Sequence, residues 1–391
     1  MSASPSISRD RVWVEVYLDH LAYNIQQLKQ KVGPDVKLLP MLKANAYGCG
    51  GPIVGKIALA NGADWLGVEL VDEALDLRRA NITIPLLVAG PVADWQAEAI
   101  VSYDLRVTVR DEATVTALAA CASEQHKILP VHVELDTGLR RLGLSADEAL
   151  ALIQRIAASA SLKLEGVWTH FASSDDPNIA FTQLQFQRYQ AFLERLNEEG
   201  IEVPIRHVSN SAALIQYPEM RLNMSRCGET VYGLVPRRDL FKQVSLKPVV
   251  AWKTHLVRIQ RVATGESVGY GQTWVAQRHS RIGTLPIGYA DGYRRSLSNR
   301  AITLVRGKMA PIIGRISMQM AMIDLTDIPE AALNDEVVLM GQQGEHCVSA
   351  YDLAAWADTA EFEILVGISS RIPRKYLRTE SHEKWEKSPL S

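Results

Sequence analysis

The stretch "RVTVRDEATVTALAACASEQHKILPVHVELD" covers residues 106–136 and reads as one strand–helix–strand unit. Its ends, RVTV (106–109) and ILPVHVELD (128–136), are short apolar runs rich in Val, and the middle, DEATVTALAACA (111–122), is helix-like. The pattern extends both ways. Before it come the apolar runs VKLLPMLK (36–43), WLGVEL (65–70) and PLLVAG (85–90); after it come LEGVWTHF (164–171), IRHVSN (205–210) and RLNMSRCG (221–228). Helix-like segments lie between, including DEALDLRRA (72–80), SADEALALIQRIAAS (145–159) and AFTQLQFQRYQAFLERLNEEG (180–200). SADE carries Ser145 with a Glu three residues later, a capping box, and Gly200 ends the last helix as a C′ glycine should. Strands that are apolar throughout belong in a parallel sheet covered on both faces. Eight strand–helix units in about 200 residues predict a (β/α)8 TIM-like barrel; a doubly wound sheet is the competing arrangement.

After about residue 245 the texture changes. VVAWKTHLVRIQRV (249–262), SRIGTLPIG (280–288), RAITLVRGKMAPIIG (300–314) and DEVVLMGQ (335–342) are rich in Val, Ile and Thr and are separated by glycine turns. The expected organisation is an N-terminal tail at 1–10, a strand at 11–17 that joins the C-terminal domain, a barrel at 18–240, a β-rich domain at 241–380 and a tail at 381–391. The 391 residues are 47% hydrophobic with a net charge of −2, which allows a large core and argues against nucleic-acid or membrane-surface partners. Four scattered cysteines without a CxxC pair read as thiols of a reducing compartment. With no apolar leader and no run long enough to span a bilayer, the expected location is the cytoplasm.

In such a barrel, chemistry gathers where strands end. Lys43 ends the first strand, DTGLRRLG (136–143) follows the fifth, TH (169–170) ends the sixth, SN (209–210) the seventh and RCGE (226–229) the eighth. Each alone has an ordinary explanation as a solvated or structural side chain; five converging on one mouth do not. SNSAA (209–213) and CGETVYG (227–233) follow the strands after which barrels commonly bind phosphate. A lysine, an arginine and a phosphate pocket suggest pyridoxal 5′-phosphate, whose aldehyde an ε-amino group traps. GGPIVGKI (50–57) nearly matches the nucleotide P-loop, but Ile57 stands where a magnesium-binding hydroxyl is needed. HExxH, paired CxxC and GxSxG are absent, so no metal site is expected.

MLKANAYGCG (41–50), DTGLRRLG, WTHFASSDD (168–176), HVSNSAA (207–213), GYGQTW (269–274), LPIGYADGYRR (285–295) and GRISMQM (314–320) together resemble the alanine racemase family over almost the whole chain. The resemblance implies racemisation of L-alanine and D-alanine by two bases on opposite faces, supplying D-alanine for peptidoglycan. Lys43 would hold the cofactor and act as one base; Tyr270 would be the other, reaching in from the partner of a homodimer with shared sites. Tyr47, Ser209, Gly228, Glu229 and Ser370 would hold the phosphate. Arg226 would face the pyridine nitrogen, His170 would support Tyr270 and the ring, Arg141 and the Met318 N–H would take the substrate carboxylate, and Tyr289 would line the entry. Three departures stand out. Glu134 occupies a position where the family often has a carbamylated lysine, and is expected to orient Arg141 without bicarbonate. Gln319 and Ser317 replace the usual aspartate and cysteine near the entrance. Ser370 stands where some members have tyrosine, which makes a serine or broad-spectrum racemase the alternative. A barrel decarboxylase would place a glutamate where Arg226 stands, and a single-barrel cofactor carrier would lack the C-terminal domain.

Overall fold

The computed structural model describes residues 11–378; the tails expected at 1–10 and 381–391 lie outside the described residues. The chain divides into two compact units: His20–Lys247, and a second that combines the chain up to Asp19 with everything from Pro248 on.

The first unit is the barrel. In chain order, β1 (Val12–Tyr17) belongs to the other unit, and the barrel strands are β2 (Lys37–Pro40), β3 (Leu66–Val68), β4 (Leu86–Val88), β5 (Arg106–Val109), β6 (Leu129–Glu134), β7 (Leu162–Trp168), β8 (Ile205–His207) and β9 (Met224–Cys227). β3 to β8 form a continuous parallel sheet in sequence order, and β2 pairs in parallel with β9. Met41 bridges Gly67 at one seam, where the Leu42 N–H donates to the Gly67 carbonyl at 2.6 Å; at the other, the Arg226 N–H donates to the Ser209 carbonyl at 3.0 Å. Eight parallel strands therefore close into a ring, and the doubly wound arrangement is excluded. Helices such as Val71–Arg79, Glu112–Glu124, Ala146–Ala157 and Ala180–Glu198 cross between the strands.

The strands are short and apolar because they are covered on both sides: every residue of β3, β4 and β9 is buried. Leu39, Trp65, Leu87, Ile205 and Met224 pack together inside the ring with Met41. Gly67 leaves room for this layer, since a Cβ there would lie 2.3 Å from the Met41 sulfur. Gly55 has a similar job. A Cβ on it would meet Ile82 at 2.6 Å, so the glycine of the P-loop look-alike lets the helix Gly51–Ala60 pack closely. Ser145 caps the helix Ala146–Ala157 by accepting from the Glu148 N–H, while the Glu148 side chain returns to the Ser145 N–H.

The second unit is built on a ten-stranded sheet. β1 lies inside it, antiparallel to Val250–His255 and parallel to Arg374–Leu377. Two helices not expected from the sequence, Ala350–Ala357 and Glu361–Gly367, lie between the strands His346–Val348 and Arg374–Leu377. The first is signalled by Ser349 and Asp352, a second capping box. No described helix is long and apolar enough to cross a membrane, and none of the four cysteines forms a disulfide.

Candidate active site

Lys43 leaves β2 and enters a left-handed turn. Ala44, Asn45, Ala46 and Tyr47 have φ of 52°, 54°, 55° and 52°. Such a run costs roughly 1–2 kcal/mol per residue and persists only where the surroundings fix it. Here the Ala46 N–H donates to the Leu42 carbonyl at 2.7 Å, the Gly48 N–H to the Ala44 carbonyl at 2.9 Å, and the Asn45 carboxamide oxygen accepts from the Gly51 N–H at 2.8 Å. Lys43 Nζ lies 3.6 Å from Glu69, which directly follows β3. The turn buries Tyr47, whose ring packs on Tyr232 at 4.6 Å. A Cβ on Gly228 would lie 2.6 Å from Tyr47 Oη, so the glycine after β9 lets the phenol approach the backbone.

Next to that phenol, the Gly228 N–H donates to Ser211 Oγ at 3.0 Å, and Ser211 Oγ lies 3.3 Å from Thr230 Oγ1. Ser209 is fully buried at the end of β8. Burial and the nearby Glu229 push the Tyr47 phenol up, so it stays a neutral donor. Hydroxyls, a phenol and a glycine that leaves space form a cradle of the chemistry a phosphate needs.

Arg226, on β9, is buried. Its Nη1 donates to the His207 carbonyl at 3.1 Å and to His207 Nδ1 at 2.9 Å; its Nη2 donates to the carbonyls of Thr169 (2.9 Å) and Val208 (3.1 Å) and lies 3.4 Å from His170 Nδ1. Its guanidinium also sits over the Trp168 ring, 4.7 Å from the centroid. Burial pushes its pKa down to about 10, while Glu134 supports the charge. Arg226 therefore remains a cation at neutral pH. Burial, then the cations Arg226, Arg141 and Lys43, hold His170 well below the ordinary histidine pKa, so it is neutral.

Arg141 is exposed on the loop after β6. That loop is pinned at its base, where the Asp136 N–H donates to the Leu144 carbonyl and the Leu144 N–H to the Glu134 carbonyl. Glu134 differs from expectation. Its carboxylate pairs with Arg110 at 2.6 Å, not with Arg141. Arg110 also donates to the carbonyls of Ala89, Gly90 and Thr108, so both of its Nη groups are engaged beside β6. Glu69 and Arg110 directly follow β3 and β5, at the same strand ends as the expected residues; Ser211 and Thr230 lie inside the two turns expected to bind phosphate.

The second unit gathers the remaining residues. Tyr270 is exposed on a turn between Gly269 and Gly271, both with positive φ. The Arg315 guanidinium packs against Gly271, where a Cβ would stand 3.2 Å from its Cζ, so a cation sits under this turn. Met318 and Gln319 follow on the same loop and are exposed. That loop is stitched to the one carrying Tyr289: Tyr289 N–H to Ser317 O at 3.1 Å, Ala290 N–H to Met318 O at 2.9 Å. The Ser369 N–H donates to the Asp291 carbonyl at 3.1 Å and Arg371 to the Ala290 carbonyl at 2.8 Å, which fixes exposed Ser370 beside the same loop.

The barrel set thus offers an amine, a phosphate cradle, a buried cation and neutral imidazoles; the other offers a phenol and a stitched rim. The family described as "Alanine racemase, N-terminal domain" matches residues 16–236, and "Alanine racemase, C-terminal domain" matches 249–376. The chain is 42% identical over 364 residues to an alanine racemase of Halothermothrix orenii, covering 93% of this chain and 96% of the relative. It superposes on the alanine racemase of a D-cycloserine-producing Streptomyces lavendulae with a TM-score of 0.90 and 32% identity, over 95% of this chain and 98% of that one. On the Bacillus anthracis enzyme with bound L-Ala-P the TM-score is 0.89 and the identity 33%, over 96% of this chain and 97% of that one.

Proposed function

The chain belongs to the alanine racemase family, and from that premise we propose how its own residues interconvert L-alanine and D-alanine with pyridoxal 5′-phosphate. The observation that carries the reading is the convergence of Lys43, Tyr47, Gly228 and Arg226 at neighbouring strand ends of one barrel. The donor set fits the cofactor: an amine for the aldehyde, hydroxyls and a glycine turn for the phosphate, a cation for the pyridine nitrogen. When bound, the cofactor supplies an aldehyde that ties the amino group of the substrate and a ring that accepts electrons from the α-carbon.

Lys43 anchors the cofactor and carries a proton on one face of the α-carbon. Tyr270, from the partner subunit of a homodimer, carries one on the other face. Two bases are needed because a single one would have to cross the substrate between removing and returning the proton. Arg226 would face the pyridine nitrogen as a donor that keeps its own proton at neutral pH, so it would leave that nitrogen unprotonated and the ring a restrained electron acceptor. Side reactions that need a stronger acceptor are thereby discouraged. Tyr47, Ser209, Ser370 and the backbone at Gly228 and Glu229 hold the phosphate; Arg141 and the Met318 N–H hold the substrate carboxylate; neutral His170 supports the ring and Tyr270. Tyr289 and Gln319 shape the entry. Glu134 acts on Arg110 and, through its charge, on Arg226. The same reading places the enzyme in the cytoplasm, where its D-alanine would feed peptidoglycan synthesis.

Borohydride reduction of the holoenzyme followed by peptide mapping tests the anchor. The reading expects the pyridoxyl label on Lys43 and no incorporation in Lys43→Ala. Label on another lysine would overturn it. Rates on L-alanine, L-serine and L-lysine then test whether Ser370 admits a larger substrate.

A further inference from the structure

A polar chain runs through the barrel interior below Arg226. Arg226 Nη1 lies 2.9 Å from His207 Nδ1; His207 Nε2 lies 3.1 Å from His132 Nδ1; His132 Nε2 lies 3.3 Å from Glu165 Oε2. Arg106 pairs with that carboxylate oxygen at 3.4 Å. Both histidines are fully buried, and the Glu165 side chain is 19% exposed. The interior is shaped for them. A Cβ on Gly166 would lie 2.5 Å from the His132 ring, Trp65 meets His132 edge-on at 5.7 Å, and Trp168 stacks on His207 at 5.8 Å.

The ends of this chain dictate every proton in it. A guanidinium only donates, so His207 Nδ1 accepts. His207 then carries its proton on Nε2 and donates to His132 Nδ1. His132 in turn carries its proton on Nε2 and donates to Glu165, which as a carboxylate only accepts. Burial holds both imidazoles below the ordinary histidine pKa, in keeping with neutral rings.

We propose that Glu165 is a remote positioning residue for Arg226, acting through His132 and His207: its carboxylate ends a one-directional hydrogen-bond chain that presents a lone pair to the guanidinium and places a negative charge behind it. The functional consequence rests on the reading of Arg226 as partner of the pyridine nitrogen; the chain itself does not. Removing the acceptor leaves the His132 Nε2–H buried without a partner, and both rings lose the contact that orients them and, in turn, Arg226.

The test is a two-bond ¹H–¹⁵N correlation spectrum of histidine-labelled holoenzyme, with His132 and His207 assigned by single substitution. Both rings are expected neutral with Nε2 protonated; a charged ring or an Nδ1-protonated one overturns the proposal. Glu165→Gln, which keeps an acceptor but no charge, is expected to retain the tautomers while shifting both sets of ¹⁵N resonances. Glu165→Leu is expected to displace or broaden them and to lower kcat by about 10–100-fold, the scale known for carboxylates that orient metal-bound histidines, with KM little changed. If Glu165→Leu folds and leaves both resonances and kcat as in wild type, the proposal is wrong. If it does not fold, unshifted resonances in Glu165→Gln overturn it equally. Expected spectra in a protein that racemises nothing would instead count against the functional reading.

Discussion

At the scale of single residues, Glu134 carries the clearest consequence. Its carboxylate belongs to the chain and already has a partner, Arg110, whose side chain is only 11% exposed. Activity should therefore be the same in carbon-dioxide-free buffer and after bicarbonate is added back; loss in the first and rescue by the second would contradict this. Glu134→Gln leaves the Arg110 cation without its counter-charge, and stability in urea should fall by about 3 kcal/mol. An unchanged unfolding midpoint would mean that the carbonyls around Arg110 suffice. Lys43, Arg226 and Gly228 are legible in the sequence because an isolated polar group or glycine at the end of an apolar run is conspicuous. His132 and Glu165 are not. Each sits mid-strand, where it reads as an ordinary β residue, and only the register of β6 on β7, with His132 opposite Gly166, brings them together.

At the scale of elements, the eight barrel runs and their main crossing helices are readable because burial on both faces leaves an uninterrupted apolar signature. The C-terminal helices Ala350–Ala357 and Glu361–Gly367 are hidden by their brevity and by the surrounding β texture. The turn after Lys43 is illegible for a different reason. Alanine is the strongest right-handed helix former, yet Ala44 and Ala46 are left-handed here because hydrogen bonds from Gly48 and Gly51 and the packing of Tyr47 impose it. This inverts the usual effect of glycine. Ala44 is exposed, so Ala44→Gly should raise stability by about 1 kcal/mol, since glycine adopts positive φ without penalty. Exposed Ala151, inside a right-handed helix, should lose about 1 kcal/mol on the same change. Equal losses at both positions in urea unfolding would refute the left-handed turn.

At the scale of the whole molecule, two buried histidines and a half-buried third make the fold sensitive to acid. His132, His170 and His207 are all held below the ordinary value. Above pH ~6.5 neither the folded nor the unfolded chain protonates them, and no stability is lost. Below it the unfolded chain binds protons that the folded chain refuses, so stability falls by up to about 4 kcal/mol per pH unit for three sites. The urea midpoint should drop between pH 7.5 and 5.5; a flat profile would show that these rings are not held neutral. The division of the site between two chains is tested most directly by mixing two inactive variants, Lys43→Ala and Tyr270→Ala, after co-refolding in equal amounts. If each site takes its lysine from one protomer and its phenol from the other, every hybrid dimer has one intact site, and about a quarter of wild-type alanine racemisation should return. A mixture as inactive as its parents, with hybrid dimers present, would contradict the shared site.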